Sequence, residues 1–341
     1  MFFATHGFRK LLSLENNPPF REAIDSGLVP KFLELCGSVH LPKLQYEATW
    51  CLTNLASSES EYTQLLFDHG ATQVLYTLLN SPHIEVVEQA IWCLGNMAGD
   101  NTRIRDSILY ARVIKPISTI LMERPGLTHA FKRNASWTLA NLCRGKPNPP
   151  FELVKEALPA LGKILLEHDE EEIITDILWA FSYVSDGTDN KVQYITATGI
   201  LPRLIEMLRH PNVAISVACL RTLGNILTGT DEQAQMALDA GALQVMNELL
   251  GHQKKALRKE VAWCISNVTA GPEHQIQAVI DSGVIDQLIH MMQHDDWEIR
   301  KEACWAVSNC TASANPSQIL ALVQKGSLKA IGAMMGGKES R

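Results

Sequence analysis

The sequence predicts an all-helical repeat solenoid, and three observations carry that expectation. The first is a period. Trp50, Trp92, Trp137, Trp179, Trp263 and Trp305 are separated by 42, 45, 42, 84 and 42 residues, and Arg221 stands at the midpoint of the long gap. The second is a companion four residues after each of these positions: Asn54, Asn96, Asn141, Tyr183, Asn225, Asn267 and Asn309. The third is a glycine in fixed phase. Gly70, Gly199, Gly241 and Gly283 lie 22 residues before a ladder position, Gly27 lies 23 before, and Gly326 continues the series. Two interlocked periods over 341 residues mark repeated units rather than two or three independent domains.

Each unit reads as three helices. In residues 231–271, "DEQAQMALDAGALQVMNELLGHQKKALRKEVAWCISNVTAG", a short helix stops at Gly241, where a left-handed residue ends a helix readily. A second helix runs to Leu250 and Gly251 breaks it, and a longer third helix carries Trp263 and Asn267. Pro30 and Pro202 fall three residues after their glycines, in the first turn of the second helix, where the missing N–H costs little. No segment alternates as a strand would. Three helices per ~42 residues is the armadillo pattern, in which each unit buries its apolar face against its neighbours. The expected fold is therefore all-α, a right-handed armadillo-repeat superhelical solenoid of about eight three-helix repeats. The spacing divides it into a partial first repeat (1–40), repeats 41–170, a degenerate linker repeat (171–212), repeats 213–338 and a tail (339–341).

Composition narrows the class. Hydrophobic residues make up 46% and charged residues 20%, too apolar for disorder, and no run approaches the ~20 apolar residues of a membrane-spanning helix. The eight cysteines form no C-x-x-C pair and no regular C…H spacing, which argues against zinc and disulfides and for a reduced protein. Lys and Arg number 30 against 37 Asp and Glu, so a general nucleic-acid binder is disfavoured and a cationic partner suits. No H-E-x-x-H, G-x-S-x-G or P-loop string occurs, so no enzyme and no cofactor is expected. The histidines are scattered, with His210, His252 and His294 expected in inter-helix loops.

Placing "EATWCLTNLA" on a wheel at ~100° per residue decides which face carries the tryptophans. Ala48, Cys51, Leu52 and Leu55 follow i, i+3, i+4, i+7 and form the buried stripe. Trp50 lies roughly 200° from Ala48 and Asn54 roughly 240°, both away from it. Cys51, Cys93 and Cys264, each following a ladder Trp, face the core. The third helices would thus present a row of Trp and Asn along a concave surface. An Asn amide carries both the donor and the acceptor that an extended peptide backbone needs. Neighbouring indoles form slots for an aliphatic stem and attract its cationic head, at ~0.5–2 kcal/mol each. Glu47, Asp176, Glu260 and Glu302, each three residues before a ladder position, are expected as acidic rims. Arg221 is expected to repel a basic side chain.

With these residues in view, the sequence resembles the importin-α (karyopherin-α) family over essentially its whole length. The segments "ATWCLTNLAS", "EQAIWCLGNMAGD", "NASWTLANLCR", "ILTGTDEQ", "KEVAWCISNVTAG" and "KEACWAVSNCTA" carry the likeness, as do the departures Tyr183 and Arg221. The resemblance implies a nuclear import adaptor that binds mono- and bipartite nuclear localisation signals and shuttles between cytoplasm and nucleus. It assigns Trp50, Asn54, Trp92, Asn96, Trp137 and Asn141 to a major peptide-binding site, assisted by Thr63, Gln89, Asp100, Asn134, Asp176 and Trp179. It assigns Asn225, Thr228, Glu260, Trp263, Ser266, Asn267, Glu302, Trp305 and Asn309 to a minor site. Ser58 and Glu59 stand where the family commonly shows Gly-Thr. A bipartite signal would need a linker of about 12 residues, from ~8–10 Å between stacked helices and ~3.3 Å per extended residue.

Residues 1–45 hold no Lys/Arg cluster like the family's importin-β-binding segment, so capture of importin-β is not expected and the groove should stand open. Nucleoporins and the export receptor of importin-α are further partners the resemblance allows; nucleic acid and membrane are not. The competing reading is an armadillo scaffold, or a cargo sink that holds basic peptides without supporting importin-β-dependent import.

Overall fold

The computed structural model describes residues 1–187 and 189–336. Among them every regular element is helical. The chain divides into two compact units, Met1–Val184 and a second beginning at Ser185, so the boundary falls inside the expected degenerate repeat 171–212. The tail at 339–341 lies outside the described residues, as do 337 and 338.

The first unit runs α1 (Phe2–Leu12), α2 (Phe20–Asp25), α3 (Leu28–Cys36), α4 (Pro42–Ala56), α5 (Ser60–Asp68), α6 (Ala71–Leu78) and α7 (Ile84–Asp100). It continues with α8 (Thr102–Tyr110), α9 (Ile114–Glu123), α10 (His129–Cys143), α11 (Phe151–Val154), a 3-10 turn (Lys155–Ala157), α12 (Leu158–Glu167) and α13 (Glu171–Ser185). The second unit holds α14 (Asp189–Thr196), α15 (Leu201–Met207), α16 (Val213–Leu227), α17 (Asp231–Asp239), α18 (Ala242–Leu250) and α19 (Lys255–Thr269). It ends with α20 (Glu273–Asp281), α21 (Val284–His294), α22 (Trp297–Ser313), α23 (Pro316–Gln324) and α24 (Ser327–Gly336). No helix among the described residues is long and apolar enough to cross a membrane.

The punctuation follows from the residues. Gly241 has φ 92°, which lets the chain turn between α17 and α18, and the glycines in phase with it share that left-handed backbone. The series skips residue 112, which lies 42 after Gly70; there Arg112 adopts the same conformation with φ 63°, at a steric cost glycine would not bear. Between Gly145 and Phe151 the prolines of "KPNPP" prevent a regular first helix, so this repeat opens with the short α11 and a 3-10 turn. Capping boxes at Thr230/Gln233 and Asn315/Gln318 start α17 and α23.

The long third helices stack on one another: α1 on α4, α4 on α7 and α7 on α10 in the first unit, and α16 on α19 and α19 on α22 in the second. The expected stripe is fully buried. Ala48, Cys51, Leu52 and Leu55 are each 0% exposed, and so are their equivalents Val261, Cys264, Ile265 and Val268. Burial also pushes the Cys51, Cys93 and Cys264 thiols well above their ordinary range. His294 corrects an expectation: it ends α21, its ring 4.5 Å from that of His290, because the helix keeps its i, i+4 register to the last turn. His210 and His252 do lie in loops, each accepting the backbone N–H two residues on.

Candidate peptide-binding face

Each ladder position faces neither fully outward nor inward. Trp50, Trp92, Trp137, Trp179 and Trp263 are half-buried, and Trp305 is 57% exposed. The reason lies one helix back. The Trp263 ring lies against the backbone of α16 at Gly224, and a Cβ built there would overlap Cζ3 and sit 2.6 Å from Cη2. Gly95 of α7 is the same platform for Trp137, whose Cζ3 would lie 2.5 Å from an added Cβ. Both glycines sit one residue before a ladder Asn, inside a helix where glycine is otherwise a poor choice. One indole face is thus spent on the scaffold.

The asparagines are divided in the same way. Nδ2 of Asn96 donates to the Thr53 carbonyl at 3.1 Å, Asn141 to Gly95 at 3.2 Å, Asn267 to Gly224 at 3.0 Å and Asn309 to Ser266 at 2.9 Å. In every case the acceptor is the residue before the preceding ladder Asn. Asn225 reaches the Ser185 hydroxyl at 2.8 Å, and Asn54 the Ser13 hydroxyl at 2.8 Å. The carbonyl acceptors fix which way the amide points. For Asn96, Asn267 and Asn309 this bond leaves the amide oxygen and the second N–H to address a peptide backbone. Asn141 is nearly buried, at 6% exposed.

Several assisting residues lie behind the ladder rather than on it. Thr63 is buried and donates to the Ala56 carbonyl; Gln89 is buried and donates to Thr53 Oγ1 at 2.8 Å. Ser266 is buried and donates to the Trp263 carbonyl. Asn134 is half-buried and donates to Glu88 at 3.0 Å, while Thr228 is exposed. Trp179 stacks on Tyr183 with ring centres 5.8 Å apart, an aromatic pair where other repeats place an amide. Asp100 closes α7, its carboxylate receiving the Ser60 hydroxyl and the Asn101 amide. Ser60 follows the Ser58–Glu59 departure and so ties that turn to the acid.

The expectation of four open rim carboxylates is corrected at two of them. Glu47 is buried and meets Arg9 Nε at 2.9 Å and His6 Nδ1 at 2.8 Å. Glu260 is buried and bidentate with Arg221, with both N–O distances 2.7 Å. Charge paired this closely also removes much of the repulsion expected of Arg221. The other two acids remain partly open. Burial pushes Asp176 up to about 6, with Glu172 adding to it and Arg133 opposing, and burial raises Glu302 as well. Arg221, Lys259, Glu260, Trp263 and Glu302 together line an open pocket of about 200 Å³.

Sequence reasoning missed three participants. Arg9 stacks its guanidinium 4.4 Å above the Trp50 ring; it stands 41 residues before Trp50, one position past the one that the 42-residue period marks. Glu88 partners Asn134 from one turn before Trp92. Trp297, off the ladder and 43% exposed, shares a pocket of about 280 Å³ with Trp305, Ile331 and Met334; its spacing of eight from Trp305 was the available signal.

The Armadillo/beta-catenin-like repeat family matches residues 16–57, 59–99, 188–228, 230–270 and 272–312. The stretch between the second and third matches, 100–187, contains the proline-broken repeat. Importin subunit alpha-1b of Oryza sativa subsp. japonica is 47% identical over 223 residues, 65% of this chain and 41% of that protein. Importin subunit alpha-2 of Arabidopsis thaliana is 49% identical over 207 residues, 61% of this chain and 38% of that protein. The chain therefore spans about two fifths of the length of these curated relatives. An engineered protein of known crystal structure superposes with a TM-score of 0.86 at 24% identity, covering 99% of this chain and 81% of its own. A designed armadillo repeat protein, solved in complex with peptide (KR)4, superposes at 0.50 with 24% identity over 83% of this chain and 99% of its own; both likenesses speak to the fold. Five matched repeats and importin relatives at close to half identity make this chain an armadillo-repeat protein of the importin-α family.

Proposed function

We propose that this chain is the signal-binding part of a nuclear import adaptor, taking Lys/Arg-rich nuclear localisation signals, mono- and bipartite, and shuttling with them between cytoplasm and nucleus. One observation carries the reading: a half-buried indole at a ~42-residue period, followed one turn later by an asparagine amide held in register by the preceding third helix. A row of this kind has little use in the scaffold beyond the bonds already described, yet it suits an extended backbone flanked by cationic stems. The importin subunit alpha relatives agree with it.

The major site is assigned to Trp50, Trp92 and Trp137 with Asn54, Asn96 and Asn141, with Asp100 and Asp176 as its acids. The minor site is assigned to Trp263 and Trp305 with Asn225, Asn267 and Asn309, with Glu302 as its acid. Thr63, Gln89 and Ser266 act from behind, by holding the backbone that carries the ladder. The test is fluorescence anisotropy with a labelled Lys-rich peptide against the full chain. Binding that weakens with salt, and by about tenfold in Trp92→Ala, supports the reading. Affinity indifferent to both would remove it.

A further inference from the structure

Arg9 and Arg221 make the same kind of pairing from neighbouring register positions, 38 and 39 residues before their glutamates. Each is carried by the third helix stacked before a Trp–Asn helix, and each meets the buried glutamate three residues ahead of that helix's tryptophan: Arg9 with Glu47 before Trp50, Arg221 with Glu260 before Trp263. The two pairs differ in closure. The Arg221 side chain is 52% exposed, whereas that of Arg9 is 16% exposed, over Glu47 at 9%. Arg9 also lies 4.4 Å above the Trp50 ring, shares a contact of 3.2 Å with His6 Nδ1, and offers its backbone carbonyl to Asn54 Nδ2 at 3.5 Å.

These are the contacts the ladder is built to make with a ligand: a cation on an indole face, a carboxylate for its charge and an asparagine amide for its backbone. We propose that Arg9 is an occupant in cis that closes the slot on the α1 side of Trp50 to ligand side chains. It sets where the first unit's row stops reading a basic peptide. The inference rests on the proposed function, since it concerns how far that same row extends. Arg9 is a specificity-determining residue on this account: without it, Glu47 and Trp50 would form one more cation slot, with a carboxylate already desolvated and therefore strongly selective for charge. Arg221, half open and not seated this way, marks the head of the second unit's row without closing it.

The experiment compares two labelled peptides with Gly-Ser flanks, one with a Lys cluster and one with the same cluster lengthened by a single Lys at either end. In the wild-type chain the lengthened peptide should bind no more than about twofold tighter. In Arg9→Met, which keeps an unbranched apolar stem and removes the charge, the lengthened peptide should gain about tenfold over the shorter. In Arg9→Met/Glu47→Gln that gain should disappear, which a general loosening of α1 would not produce. A folded Arg9→Met with no gain, or a gain that survives Glu47→Gln, overturns the proposal. Should Arg9→Met melt below the assay temperature, the wild-type chain still decides it, because a tenfold gain there from one added Lys shows that the slot is open. Failure of either peptide to bind the wild-type chain would refute the proposed function instead.

Discussion

Gly224→Ala tests the seating of the tryptophans with its sign as well as its size. Alanine in a helix interior is ordinarily better than glycine by ~0.5–1 kcal/mol, because the unfolded chain loses less freedom. At Gly224 the added Cβ would lie 2.6 Å from Trp263 Cη2 and 2.7 Å from Cε3, where carbon atoms rest at ~3.5–4.0 Å. The ring must retreat from α16 by roughly 1 Å, and overpacking of this kind costs ~1–3 kcal/mol. The net expectation is a chain destabilised by up to ~2 kcal/mol instead of stabilised. Gly332, in α24, is the control: nothing lies within 4 Å of its Cβ position, so Gly332→Ala should gain the ordinary helix increment. Denaturant midpoints for the two variants should therefore move in opposite directions. Retreat of the ring also shifts one wall of the pocket that it forms with Glu260 and Glu302, so a Lys-rich peptide should lose about tenfold at that cluster. If Gly224→Ala is stabilised as much as Gly332→Ala and binds the peptide unchanged, the indole does not rest on that backbone and the account of the ladder is wrong.

Two further outcomes follow from single residues. Arg112→Gly should raise thermal stability by an amount equivalent to ~1 kcal/mol, because it relieves a left-handed backbone at φ 63° that exceeds the entropy glycine adds to the unfolded chain; a lowered melting temperature would show that the Arg112 side chain contributes more than the strain costs. Asp176, raised to about 6 by burial, attracts a cation only above that value. Peptide affinity should fall by up to about tenfold between pH 7 and pH 5, and Asp176→Asn should be weaker at pH 7 and flatter across the range. The sign for stability is opposite to that of a salt-bridged acid: the folded chain favours the protonated form, so this group's contribution is greatest at low pH and is lost as pH rises through about 6. An Asp176→Asn profile as steep as that of the wild type would place the titration elsewhere.

What was legible in the sequence was whatever repeats within one helix or at one turn. The ladder of Trp and Asn, the stripe from Ala48 to Leu55 and the glycine before Ala242 are each written in residues a few positions apart, whose geometry a single helix or turn dictates. The same reading led to the family, because the segments around each Trp are long enough to be specific. Partners about 40 residues apart were another matter. That Glu47 belongs to Arg9 and Glu260 to Arg221, and that each ladder amide gives one N–H to the helix before it, depends on the offset at which two third helices stack. A one-residue change in that offset would turn the cation or the carbonyl by ~100° and present another side chain, with no change in either helix's own pattern. The same holds for Gln89, a polar residue that reads as a ligand contact but finds its hydrogen bond on Thr53 of the helix stacked before it. Sequence period determined which face the tryptophans take; only packing between neighbouring helices decided how much of that face is left for a ligand.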